Sequence, residues 1–142
     1  MKNEHNNKLI VDFLELRPCV ECDNKNGQYY YCSWYGKPTE SNLHYFKPDE
    51  MKYHWHWNWL MNVVDKIEST WHDEHGFFGV YISSNSCTIQ GTKFRVDKSP
   101  AKPVYYNQLV LKDKLQSTYV AVINFISWYL ETIKIDEQLK KG

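Results

Sequence analysis

The sequence predicts an α+β fold: a small antiparallel sheet with two long helices packed on one face and a short N-terminal helix. Two observations carry this. Apolar residues recur at helical spacing in Trp55–Trp71 and again in Leu115–Ile133. Between these stretches lies a block of short strand-like runs with turn residues, and helices flanking strands in this way indicate helices laid on one side of a sheet. A chain of 142 residues, 42% hydrophobic and 24% charged, makes one folded domain spanning 1–142.

Taken in order, Leu9, Ile10, Phe13, Leu14 and Leu16 predict a first helix over Asn7–Leu16, which Pro18 ends. "CVECDNKNGQ" is a polar loop with a turn at Asn26-Gly27. "YYYCSWY", Tyr29–Tyr35, is rich in strand formers, and "NLHYF" reads as a second short strand. Pro48-Asp49-Glu50 looks like a helix entry. Trp55, Trp59, Val63, Ile67 and Trp71 then recur every four residues and predict one buried stripe on a helix of about four to five turns. "FFGVYIS", "SCTIQ" and "TKFRV" predict two or three antiparallel strands, with Phe78, Val80 and Ile82 sharing a face. "DKSPAKPVYYNQ", with two prolines, is expected to be a loop. A last helix is expected from Lys114 to Ile133, opened by a capping box of Asp113 with Gln116.

Composition narrows function. Lys+Arg and Asp+Glu balance at 17 each, so no global basic field favours nucleic-acid phosphates, and direct nucleic-acid binding is not expected. No apolar run approaches the roughly 20 residues of a membrane span. Asp12 and Glu15 interrupt what would be a signal-peptide core, which places the protein in the cytoplasm. There the four cysteines are expected as reduced thiols or metal ligands rather than disulfides.

Four of the six histidines lie between Tyr53 and His75. His54 and His56 are two apart and diverge on a helix; His72 and His75 are three apart, one short of the zinc-protease spacing. They are read as bystanders at the ends of a tryptophan stripe. No phosphate-cradling glycine loop and no nucleophile elbow is present, so no catalytic residues are assigned. Two alternatives stand beside this non-enzymatic reading. One is a histidine-dependent enzyme using His72 and His75. The other is a zinc-stabilised nucleic-acid-binding module, with Cys19 and Cys22 spaced as in a zinc knuckle, Cys32 following, and His44 or Cys87 as the fourth ligand. A thioredoxin-like role is disfavoured because "CVEC" follows a helix and a proline rather than opening a helix after a strand.

Aromatics make up 16% of the chain, more than a domain of this size hides. Tyr and Trp anchor protein interfaces, so Tyr29, Tyr31, Trp34, Tyr35, Tyr45, Tyr105 and Tyr106 are the candidate partner-binding residues.

"YHWHWNWLMNVVDKIES" and "YVAVINFISWYLE" resemble paired motifs of a family of small proteins from phages, prophages and other mobile elements of the Bacteroidetes. Tyr53, His54, Trp57, Trp59, Leu60, Met61, Val63, Val64, Lys66, Ile67 and Glu68 match the first motif in order. Tyr119, Ala121, Val122, Phe125, Ile126, Trp128 and Tyr129 match the second. Asn62 replaces a proline common in the family, favouring an uninterrupted helix. The resemblance covers roughly a quarter of the chain. It implies a setting rather than an activity: an accessory protein that occupies a host protein's surface, such as an inhibitor of a CRISPR nuclease or another defence effector.

Overall fold

A computed structural model describes residues 2–32, 44–92 and 105–141. The chain runs α1 (Lys2–Leu14), β1 (Tyr30–Cys32), β2 (His44–Phe46), a 3₁₀ turn (Pro48–Glu50), α2 (Trp57–Glu68), β3 (Trp71–His72), β4 (Gly76–Ile82), β5 (Ser86–Gly91), β6 (Tyr106–Val110) and α3 (Lys114–Lys141). Two antiparallel sheets form: a β1–β2 pair, and a four-stranded sheet in the order β3-β4-β5-β6. This is the α+β architecture predicted, with α2 packed on β4 and α3 on β5 and β6.

Local bonds set several of the helix ends. At the close of α1, Leu16 N–H reaches the Val11 carbonyl at 3.2 Å, wrapping the last turn around Glu15 in the left-handed region (φ 55°). Asp113 Oδ1 accepts from the Gln116 N–H at 2.8 Å, forming the N-cap half of the expected box. Glu50 closes the 3₁₀ turn by accepting from the Lys47 N–H at 2.9 Å.

The helix α2 is shorter than the four-residue repeat predicts. Ser69 Oγ and Thr70 Oγ1 both donate to the Lys66 carbonyl, and these hydroxyls compete with the helical bonding pattern and end it. Trp71 therefore falls in β3 and is half-exposed. At the other end Trp55 lies in the turn before the helix, also half-exposed. Of the predicted stripe, Trp59, Val63 and Ile67 are buried, joined by Leu60 and Val64.

Two further expectations are corrected. The helix α3 continues two turns past Ile133. The segment expected to be a loop holds β6: its prolines lie upstream, and Tyr106–Val110 pairs with Gln90–Ser86. The expected strand "TKFRV" lies mostly outside the described residues.

The core forms where α2 and α3 meet the inner sheet face and α1 packs on both helices, around Trp59, Phe78, Ile89, Phe125 and Ile126. Among the polar residues wholly buried there, which include Ser117 and Thr118, Asn7 links three elements. Asn7 donates to the Pro48 and Met51 carbonyls at 2.9 and 3.2 Å and accepts from Tyr119 Oη at 3.3 Å. It thereby ties α1 to the 3₁₀ turn and to α3 with its polar atoms satisfied.

Candidate partner-binding face

Strand alternation sorts the four-stranded sheet into two surfaces. Phe78, Val80 and Ile82 of β4 oppose Gly91, Ile89 and Cys87 of β5, and this side faces the helices. The intervening residues face away. On β4 they are Phe77, Gly79 and Tyr81; on β5, Ser86, Thr88 and Gln90; on β6, Tyr106, Gln108 and Val110. Trp71 pairs with Phe77 and extends this surface onto β3, the two rings 5.0 Å apart.

Five large apolar side chains on this side, Trp71, Phe77, Tyr81, Tyr106 and Val110, are 49 to 61% exposed. None of the outward residues named carries a charge, in a chain that is 24% charged. At the rim, Asp73 Oδ1 accepts from Trp71 Nε1 at 3.3 Å. Four strands at about 4.8 Å spacing make the surface roughly 14 Å across.

Gly79 gives the centre its shape. A Cβ there would lie 2.7 Å from Tyr81 Oη and 2.8 Å from its Cε2, so the Tyr81 ring lies across the glycine. A flat ring on a glycine seat is a pre-set contact with few rotatable bonds to freeze on binding.

The predicted contact residues separate. Tyr106 belongs to this face. Tyr105, its neighbour, points the other way and packs on Trp128 (4.4 Å) and Phe125 (5.4 Å); burial pushes its hydroxyl pKa up. Its ring packs on the helix side of the sheet and does not lie on the outer face. Tyr29, Tyr31 and Tyr45 gather on the β1–β2 hairpin, where Tyr31 meets Tyr45 at 5.7 Å and Arg17 lies over the Tyr31 ring. Tyr29 and Tyr31 are half-buried there, and Tyr45 is at the border of exposure. Trp34 and Tyr35 lie outside the described residues. Sequence reasoning missed Trp71, Phe77, Tyr81 and Val110. The signal for two of them was present: the alternation that buries Phe78, Val80 and Ile82 turns Phe77 and Tyr81 outward.

The histidines make local contacts. His72 Nδ1 accepts from the Glu74 N–H at 3.1 Å, so a neutral ring carries its proton on Nε2 and donates it to Asp136 Oδ2, also at 3.1 Å. His75 Nδ1 accepts from the Tyr105 N–H at 2.9 Å and so anchors the start of β6. Burial lowers the His54 pKa.

Cys19 and Cys22 are joined in a disulfide, Cα–Cα 5.7 Å, where reduced thiols or ligands were expected. The three-residue spacing that suits a metal knuckle also brings two sulfurs within bonding reach. Cys32 and His44 are Cα partners across the β1–β2 hairpin. Cys19 bonds to Tyr29, so Cys32 lies three residues, roughly 10 Å, along the strand from it. Cys87 is buried on β5 beneath α3, with its thiol pKa raised by burial. Among the described residues no three His, Cys, Asp or Glu side chains cluster as a metal site, and no helix is long and apolar enough to cross a membrane.

No protein-family model, no curated protein and no solved structure matches the chain.

Proposed function

We propose that this protein acts by binding another protein, without catalysis, through the outer face of its four-stranded sheet. The carrying observation is the row Trp71, Phe77, Tyr81, Tyr106 and Val110, exposed together on a surface whose strand residues are uncharged. Enrichment in aromatics with depletion of charge is the composition of the buried centre of protein interfaces. Aromatic rings also stack on unpaired bases, but a nucleic-acid groove adds cations that track the backbone, and no Lys or Arg stands among these outward residues. The partner's complementary patch is accordingly apolar and uncharged.

The setting we propose comes from the family resemblance of the α2 and α3 motifs. It is an accessory protein of a phage or mobile element, working in the host cytoplasm against a defence effector such as a CRISPR nuclease. Occupying a surface suits that task, because inhibition then needs affinity and no chemistry.

Infection assays in hosts with and without each defence system test the setting. Expression of the protein should restore infection only where its target system is present. Gly79→Ala tests the surface, since it displaces the Tyr81 ring while leaving the strand its pairing. Protection should fall with Gly79→Ala at unchanged protein level. Equal protection by Gly79→Ala and by Tyr81→Ala would remove the outer face from the reading.

A further inference from the structure

The loop Cys19–Tyr29 holds its shape by hydrogen bonds. The Cys19 N–H donates to the Tyr29 carbonyl at 2.8 Å. The Cys19 carbonyl accepts from Asn24 Nδ2 at 3.1 Å and Gln28 Nε2 at 2.8 Å, and Asn24 Oδ1 accepts from the Tyr29 N–H at 3.2 Å. The disulfide inside this loop adds little to that frame. A crosslink stabilises by restricting the unfolded chain, more so for longer loops, and this one joins residues only three apart. A bond that contributes so little to the fold is free to serve chemistry.

Its two sulfurs differ. Cys19 is 4% exposed, whereas Cys22 is half-buried. The Cys22 N–H also points at Cys19 Sγ, 3.1 Å away. An N–H donor favours negative charge on the sulfur it faces, so the bond is polarised toward Cys19 as leaving group and Cys22 as the sulfur open to attack.

We propose that Cys19–Cys22 is an exchange-competent disulfide that takes a low-molecular-weight thiol on Cys22. The thiolate of the incoming molecule attacks Cys22 Sγ. A new sulfur–sulfur bond forms, the Cys19–Cys22 bond breaks, and its electron pair leaves on Cys19 Sγ as a thiolate held by the Cys22 N–H. The protein disulfide is itself the oxidant, so no other co-reactant enters. The hydrogen-bonded loop keeps Cys19 beside Cys22, and attack of Cys19 on the mixed disulfide expels the thiol and restores the starting bond. Exchange of this kind links the state of the loop to the thiol poise around the protein.

Glutathione is the probe, applied to the full chain with Cys32→Ser throughout so that adducts report the loop. The protein is incubated at fixed ratios of reduced to oxidised glutathione, quenched in acid and mapped by mass spectrometry. Cys19→Ser should trap the adduct on Cys22 at roughly tenfold the occupancy of the parent, because the resolving thiol is gone. Cys22→Ser should carry little on the buried Cys19. Equal labelling of the two single variants would overturn the proposal. The parent gives a readout independent of either variant's folding: excess reduced glutathione should open its disulfide, seen as two newly alkylated cysteines. A disulfide that persists there would overturn the proposal, as would a parent purified as two thiols holding one equivalent of zinc.

Discussion

The two faces of the four-stranded sheet use the same residue types for opposite ends. Neighbours in sequence, Phe77 and Phe78, sit on opposite sides: Phe78 is 2% exposed among Phe125, Tyr105 and Trp128, and Phe77 is half in solvent against Trp71. Tyr105 and Tyr106 repeat the split one strand-end away. The helices α2 and α3 close one side, with α1 packed on them. On the other, an aromatic surface with no charged strand residue remains uncovered by any described element. Hydrophobicity alone does not distinguish a core from an interface; the position of the helices does.

The largest effect expected is at the first pair. Phe78→Ala should lower unfolding free energy by about 3–5 kcal/mol, as for other large core truncations. Phe77→Ala should cost about 1 kcal/mol or less, its main loss being the Trp71 contact. Urea denaturation measures both, and similar losses would erase the distinction between the faces. Next comes the buried polar link on the covered side. Asn7→Ala removes the side-chain donor from the Pro48 and Met51 carbonyls and the acceptor from the Tyr119 hydroxyl, and should cost about 1–3 kcal/mol by the same measurement.

A third prediction concerns Tyr119, whose pKa is pushed up to about 12, chiefly by burial and in opposition to hydrogen bonding from Asn6. An exposed tyrosine titrates near 10. Between these values the folded chain keeps a proton that the unfolded chain releases. The contribution to stability is therefore complete below about pH 10 and is lost as pH rises to about 12. Thermal melts across that range should fall less steeply for Tyr119→Phe than for the parent. Burial raises Tyr105 and Tyr129 in the same direction, so part of the slope persists. The smallest effect lies at the margin between the faces. Asp136, 46% exposed, is paired with His72, and Asp136→Ala should change stability by about 0.5 kcal/mol or less.

Much of this fold is legible in the residue pattern, because burial of one face imposes a period. Leu60, Val63, Val64 and Ile67 mark α2, and Val122, Ile126 and Leu130 mark α3. The failures fall where a local bond overrides the period. Trp71 continues the four-residue count from Ile67, yet the hydroxyls of Ser69 and Thr70 end the helix before it. Pro100 and Pro103 suggested a loop that runs into Tyr106, while the ladder to β5 extracts a strand there. The candidate site was less legible. Tyr106 was identified among surplus aromatics, but Tyr105 was grouped with it, since inward and outward tyrosines look alike until the helices are placed. Phe77 and Tyr81 alternate with Phe78, Val80 and Ile82, and both sets are apolar or aromatic, so the pattern alone does not say which of them stays uncovered. The Cys19–Cys22 spacing serves a metal or a disulfide equally well, and only the fold shows where Cys32 and His44 go.

The most direct test of a protein-binding outer face is affinity capture with three proteins: the parent, Phe77→Glu/Tyr81→Glu, and Trp55→Glu. Trp55 is 54% exposed, as open as Tyr81, but lies in the turn before α2 rather than on the sheet. The account predicts that parent and Trp55→Glu retain the same bound host protein, that the double variant loses it, and that light scattering finds all three monomeric. Retention of the partner by the double variant would contradict it, and so would a parent dimer that the double variant dissolves.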